Sequence, residues 1–233
     1  GLGGFTFKVV FKNIPGKFTY LYDTLDGTFP NHEPNPVVLE NVKDLQKAVV
    51  KNKADFGVAI DGDCDRCIFI DENGEYIRGD LVLGAIACYL LKEKKNLSSK
   101  IIYDIRSSRA IPEVIRENGG EPIVTRVGHS FIKYLMRKEN ALMAGEVSGH
   151  VYYRDSYYTE SSIITVINFM NCLQSGKKMS ELITPLRRYF QTGELNYTVS
   201  DKDKAISAVE KKYIKQALSI NRLDGISLDM GDW

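Results

Sequence analysis

Phe56-Gly-Val-Ala-Ile60, Asp61-Gly-Asp-Cys-Asp-Arg66 and Cys67-Ile-Phe-Ile70 follow one another without a break, and how they are parsed decides the fold. The first and third runs are short, apolar and rich in residues suited to buried strands, so the acidic run between them reads as a tight loop. Three carboxylates at alternate positions in such a loop repel one another. At about 4 Å a pair costs roughly 1 kcal/mol in water and about 4 kcal/mol at a partly desolvated surface. A divalent cation removes that cost. All-oxygen ligation by Asp61, Asp63 and Asp65, with positions left for water and a phosphate oxygen, suits Mg²⁺. Gly62 lets the backbone turn so that the carboxylates converge, and Arg66 can hold a phosphate that the metal does not cover. A plain acidic turn is the simple alternative, against which stand the flanking strands and the arginine inside the loop. An EF-hand also shares the spacing, with Asp61, Asp63, Asp65 and Glu72 at loop positions 1, 3, 5 and 12. Arg66 stands where that loop needs glycine, and the flanks are strand-like.

Outward from this loop, strand and helix patterns alternate, the mark of α/β layering. Residues 39–50 carry Val42, Leu45, Ala48 and Val49 on one helical face, residues 71–75 form a turn, and residues 81–92 form an apolar helix. The polar stretch 94–100 marks a first boundary. A second β/α series follows: strand 101–105, helix 110–117, strand 122–124, helix 130–139 with Phe131, Ile132 and Leu135 inward, strand 141–144 and helix 161–173. Pro185 interrupts any helix beyond residue 178. From Glu194 a third unit is expected as strand 195–199, helix 205–218 and strand 226–228, too few elements for a core of its own. The expected domains are 1–95, 96–191 and a truncated 192–233. At the start, Phe5, Phe7, Val9 and Phe11 alternate like a strand, while Phe7, Val10, Phe11 and Ile14 fit a helix.

Across 233 residues, 43% are hydrophobic and 26% charged, a balance that supports a buried core. The net charge of +1 gives no field that would draw nucleic acid or an anionic membrane. The longest apolar run, residues 81–91, is far short of the roughly 20 needed to span a bilayer. The opening Gly-Leu-Gly-Gly-Phe has no signal-peptide character and no initiator Met, so both ends are expected to have been cut. Cys64 and Cys67 form a C-x-x-C. No second pair completes a zinc site, and the adjacent Asp63 and Asp65 raise a thiol pKa. The four cysteines, at 64, 67, 88 and 172, fit a reducing, cytoplasmic setting.

Further motifs lie at strand ends, where α/β sheets hold ligands. Gly145-Glu-Val-Ser-Gly-His150 follows strand 141–144. Its glycines permit close backbone approach, Glu146 can accept from two neighbouring hydroxyls and Ser148 can give or take one, which suits a sugar ring. Taken alone, a polar turn would explain it as well. Arg106 lies just beyond strand 101–105, and His129 opens a helix, where the dipole favours a neutral ring. A Ser130 cap is the structural alternative there, and the two are compatible.

Together these segments resemble the α-D-phosphohexomutase family. D-G-D-C-D-R is similar to its metal loop D-G-D-x-D-R. Gly145–His150 resembles its sugar loop G-E-x-S-G-H, in the phosphomannomutase/phosphoglucomutase form, and residues 128–133 resemble its G-H-S-x-I-K segment. Residues 26–36, DGTFPNHEPNP, match another family segment, read as architectural.

The resemblance implies two consecutive mixed-sheet α/β domains, the family's second and third, and the start of an α+β fourth. It implies that residues 1–14 open as a helix. It implies a phosphotransferase that interconverts hexose 1-phosphate and hexose 6-phosphate, of glucose or mannose, through a phosphoserine and a bisphosphate. Asp61, Asp63 and Asp65 would hold Mg²⁺, Arg66 and His129 would be catalytic, and Arg106, Glu146, Ser148 and His150 would bind substrate. The family's phosphoserine loop, T-A-S-H-N-P-like, does not occur in this sequence, so the polypeptide by itself is expected to lack turnover. A non-catalytic module binding sugar phosphate or metal is the alternative.

Overall fold

The computed structural model describes residues 1–93 and 96–231. After α1 (Gly3–Phe11) and a long irregular segment, a 3-10 turn at Leu39–Val42 leads into α2 (Lys43–Asn52). β1 (Phe56–Ile60), β2 (Cys67–Asp71) and β3 (Tyr76–Ile77) then form an antiparallel sheet in that order. Ile60 pairs with Cys67, so the acidic run is the tip of a hairpin. Every residue of β2 is buried. Ile70 packs with Val42 and Val49 beneath α2, and Phe69 stacks on Phe169 at 4.7 Å on the other face. Two covered faces explain why β2 reads as a continuous apolar run.

Next come α3 (Gly79–Leu91), β4 (Lys100–Asp104), α4 (Ala110–Glu117), β5 (Glu121–Thr125), α5 (His129–Glu139), β6 (Met143–Gly145), β7 (Val151–Tyr153) and β8 (Thr159–Glu160). α6 (Ser162–Leu173) and α7 (Met179–Ile183) close this part, with the Ser161 hydroxyl capping α6 at Ile164 N. The sheet runs β5-β4-β6-β7-β8. β4 is parallel to β5 and β6, whereas β7 and β8 are antiparallel, which makes the sheet mixed. Since β4 and β6 run the same way, the loops leaving them emerge at one sheet edge. α3 shares one core with Phe69 and Ile77 of the first sheet and with Ile111, Ile115, Phe169 and Ile183. The boundary expected between residues 95 and 96 touches residues 94 and 95, which lie outside the described residues.

The last unit holds α8 (Lys202–Tyr213) and an antiparallel pair, β9 (Ser219–Asn221) and β10 (Ser227–Asp229). α8 buries no residue. Polar contacts tie this unit to the body: Arg109 to Asp229, Arg126 to Asp224, and Val127 N to Asp224 Oδ2 at 2.9 Å.

The α/β expectation holds, and α1 settles the ambiguous opening as a helix. Three details differ. Residues 195–199 are not a strand, because no described strand runs beside them, and Leu195 and Tyr197 stay exposed. α8 stops at Tyr213, short of the expected residue 218, and β9 begins at Ser219, directly after that point. Phe131 points outward and stacks on the Arg126 guanidinium at 4.2 Å, so Ile132 and Met136, with the partly buried Leu135, supply the inward face of α5. Among the described residues, no helix is long and apolar enough to cross a membrane.

Candidate active site

The hairpin tip is held from several sides. Asp61 is almost wholly buried, and its Oδ1 accepts the amides of Asp65 and Arg66, each at 3.1 Å. Its Oδ2 accepts Arg66 Nε at 2.7 Å. Cys64 takes a left-handed backbone (φ +72°), which folds the tip back, and Ser162 Oγ pins it by donating to Cys64 O at 2.7 Å. Phe29 and Pro34 press on Gly62: a Cβ there would lie 3.2 Å from Phe29 and 3.6 Å from Pro34. The 26–36 segment therefore buttresses the acidic loop. Asp61, Asp63 and Asp65 each offer one oxygen, and these oxygens lie within 4.8 Å of one another. Such a set of hard oxygen donors fits a small divalent cation.

Burial pushes the Asp61 carboxyl up, but the hydrogen bonds from Arg66 outweigh it and hold the group below the usual carboxylate range. Asp65 goes the other way, pushed up to about 6 by burial and then by its hydrogen bond with Asp61. Burial, followed by the nearby acids, raises the Cys64 thiol, and burial raises Cys67, so neither is a ready thiolate. Glu72, the twelfth position of the EF-hand spacing, lies at the far end of β2 and binds Ser180, outside the acidic group. The flanks are strands. The EF-hand alternative therefore fails.

The 145–150 turn joins β6 to the antiparallel β7. Glu146 N donates to His150 O at 3.0 Å, and Gly149 N donates to Glu146 O at 3.1 Å. Gly149 has φ +95°, and a Cβ there would sit 2.8 Å from Cys67 O, so the turn needs glycine at this position. Cys67 N donates to Gly149 O at 3.1 Å, and Arg66 and His150 form an isolated antiparallel bridge. The sugar-type turn is thus stitched to the residues that leave the acidic loop. His150 Nε2 lies 3.5 Å from Asp65 Oδ1, while its Nδ1 lies 3.0 Å from both Glu146 Oε2 and Ser148 Oγ. Buried Tyr152 donates to Glu146 Oε2 at 2.7 Å. Burial pushes the Glu146 carboxyl up, but His150 and Tyr152 more than offset it and the group ends low. Burial pulls the His150 ring down, yet Glu146 and Asp65 leave it raised.

Arg106 sits in the loop leaving β4, partly exposed, with its guanidinium 3.0 Å from Asp104 Oδ2 and 3.7 Å from Glu194. His129 is the first residue of α5, after Gly128 (φ +124°) as N-cap, so Ser130 is not the cap. Its ring is exposed and, among the described residues, makes no hydrogen bond or ion pair, so it does not join the Asp65–His150–Glu146 chain. Sequence reasoning passed over Asp104, Tyr152 and Gly79. The signal for Asp104 was a lone acid ending an apolar strand; for Tyr152 and Gly79 the sequence held none.

Comparison with known proteins agrees with this layout. The family model for phosphoglucomutase/phosphomannomutase α/β/α domain II matches residues 1–74, and that for α/β/α domain III matches residues 78–189. The break between them falls just before α3. A phosphomannomutase of Escherichia coli is 39% identical over 94% of this chain and 48% of its own length. One from Methanocaldococcus jannaschii is 38% identical over 95% of the chain and 49% of its own. Phosphohexose mutases of Xanthomonas campestris are 36% identical over the whole chain and 52% of theirs. The chain therefore spans about half the length of the curated relatives it matches. A crystal structure of a Burkholderia thailandensis phosphoglucomutase/phosphomannomutase family protein superposes with TM-score 0.90 at 30% identity, over 99% of this chain and 50% of that one. With an acidic hairpin tip stitched to a G-E-V-S-G-H turn on the two domains the models describe, this chain belongs to the α-D-phosphohexomutase family, on its phosphomannomutase/phosphoglucomutase branch.

Proposed function

We propose that the protein this chain represents interconverts hexose 1-phosphate and hexose 6-phosphate, of mannose or glucose, through a phosphoserine and a bisphosphate intermediate in the cytoplasm. The observation that carries this reading is the joining of the two loops: the acidic tip and the 145–150 turn share a backbone bridge at Arg66 and His150. Asp61, Asp63 and Asp65 would hold Mg²⁺, which would neutralise phosphoryl charge during transfer. Arg66, already oriented by Asp61, steadies the same phosphoryl group. Arg106 takes the substrate's phosphate, Glu146 and Ser148 take its ring hydroxyls, and His150 holds Glu146 in place. His129 reaches the substrate from the start of α5.

Calorimetric titration tests the reading. Mg²⁺ and glucose 1-phosphate should each bind, and Glu146→Gln should weaken only the sugar phosphate. Absence of both binding events would refute the site. No mutase turnover is expected from this polypeptide, since its sequence contains no phosphoserine loop; conversion of mannose 1-phosphate above background in a coupled assay would contradict that.

Metal capture should also depend on pH. The metal binds deprotonated Asp65, whose carboxyl is pushed up to about 6 in the free chain. Affinity should be flat above that pH and fall by about tenfold per unit below it, with a proton released on binding. Titrations in buffers of different ionisation enthalpy would reveal that proton; a flat profile down to pH near 5 would count against it.

A further inference from the structure

Asp104 ends β4, fully buried, and none of the roles assigned so far uses it. Three N–H groups converge on its carboxylate. The Arg106 amide donates to Oδ1 at 2.8 Å, and the Arg106 guanidinium donates to Oδ2 at 3.0 Å. The Val147 amide donates to the same Oδ2, also at 3.0 Å. One buried acid thus grips both the loop that carries Arg106 and the turn that carries Glu146 and Ser148. The β4–β6 pairing ends at Tyr103 and Gly145, so beyond the last paired residues the carboxylate continues the connection that the sheet stops making. Its neighbour Asp80, also fully buried, braces the same loop by accepting Ser108 N at 2.9 Å while holding Arg78.

We infer that Asp104 is a positioning residue that sets Arg106 and the 145–150 turn at a fixed separation, so that one sugar phosphate meets its phosphate ligand and its hydroxyl ligands together. The inference rests on the proposed sugar-phosphate site and deepens it. Loops that drift independently would each keep their own contacts but would seldom present them in register, and register is what preorganised binding requires. The chemistry calls for a carboxylate, because all three partners are donors. An amide offers one oxygen and one NH₂, so in either orientation asparagine sets a donor against a donor.

The test is Asp104→Asn in the full chain, read by Mg²⁺ and glucose 1-phosphate affinity together with amide exchange. Glucose 1-phosphate affinity should fall on the order of tenfold, Mg²⁺ affinity should hold, and the Val147 amide should exchange faster. Equal sugar-phosphate affinity with unchanged exchange would overturn the positioning role and leave the site reading intact. A parent chain that binds no sugar phosphate would overturn both. Weakening of Mg²⁺ and sugar phosphate together would mean that Asp104 is merely structural. Should the variant fail to fold, Arg106→Gln decides: it removes one donor from Oδ2 and leaves the acid, so faster exchange at Val147 supports the link and unchanged exchange contradicts it.

Discussion

Asp61→Ala is expected to abolish measurable Mg²⁺ binding by this chain and to lower its stability by about 2–4 kcal/mol. Both effects come from one buried side chain. Asp61 supplies a ligand oxygen and also accepts the Asp65 amide, the Arg66 amide and Arg66 Nε. Without it, two backbone donors lose their acceptor in a partly buried loop, and the Arg66 guanidinium is left with Asp65 at 3.9 Å and a long bond to Asn35 Oδ1 at 3.5 Å. Relief of repulsion among the remaining acids offsets part of the loss, which is why the range is not higher. Asp63→Ala makes the contrast. Asp63 is exposed and, among the described residues, makes no side-chain hydrogen bond or ion pair, so the variant should lose metal affinity at nearly unchanged stability. Calorimetry with Mg²⁺ and denaturant melts separate the two. Parent-like metal affinity in Asp61→Ala would contradict the assignment.

Gly79→Ala is the second large effect, and it reaches the site through packing. Gly79 starts α3 directly beneath the 145–150 turn. A Cβ there would lie 2.5 Å from Glu146 O, 2.7 Å from Gly149 N and 2.9 Å from Val147 O. All three are backbone atoms, so no side chain can swing aside, and either α3 or the turn must move. Overpacking of this kind destabilises by about 3 kcal/mol. Because Gly149 O accepts from Cys67 N at 3.1 Å, movement of the turn also strains the exit of the acidic hairpin. The variant should melt early and, where still folded, bind glucose 1-phosphate poorly. A stability change below about 1 kcal/mol would show that the contact yields more easily than backbone should.

Much of this was legible in the sequence, for reasons that can be named. The acidic hairpin could be read because β2 is covered on both faces and so is apolar throughout, while the tip concentrates charge that only a ligand or solvent can neutralise. The five-stranded sheet was half legible. β4 and α4 carry strong periodic patterns, but β8 is two residues long and β7 only three, too short to leave a period. Residues 195–199 failed in the opposite sense: the alternation is present, but a strand exists only where another strand pairs with it. Glu146 and Ser148 were visible as a turn motif. Their attachment to Asp65 through His150 was not, since residues some eighty positions apart are brought together by the Arg66–His150 bridge and the Cys67–Gly149 hydrogen bond. Tyr152 was hidden for a related reason, because its ring reads as core and only the hydroxyl bears on Glu146.

If the acidic tip and the sugar-type turn make one site, paramagnetic Mn²⁺ in place of Mg²⁺ will reach both, since all-oxygen sites accept both ions. Added in substoichiometric amounts to isotope-labelled chain, Mn²⁺ should broaden the amide resonances of residues 61–66 and 148–150 together and leave those of α8 sharp. Broadening that spares residues 148–150, or that appears first elsewhere in the chain, would contradict it.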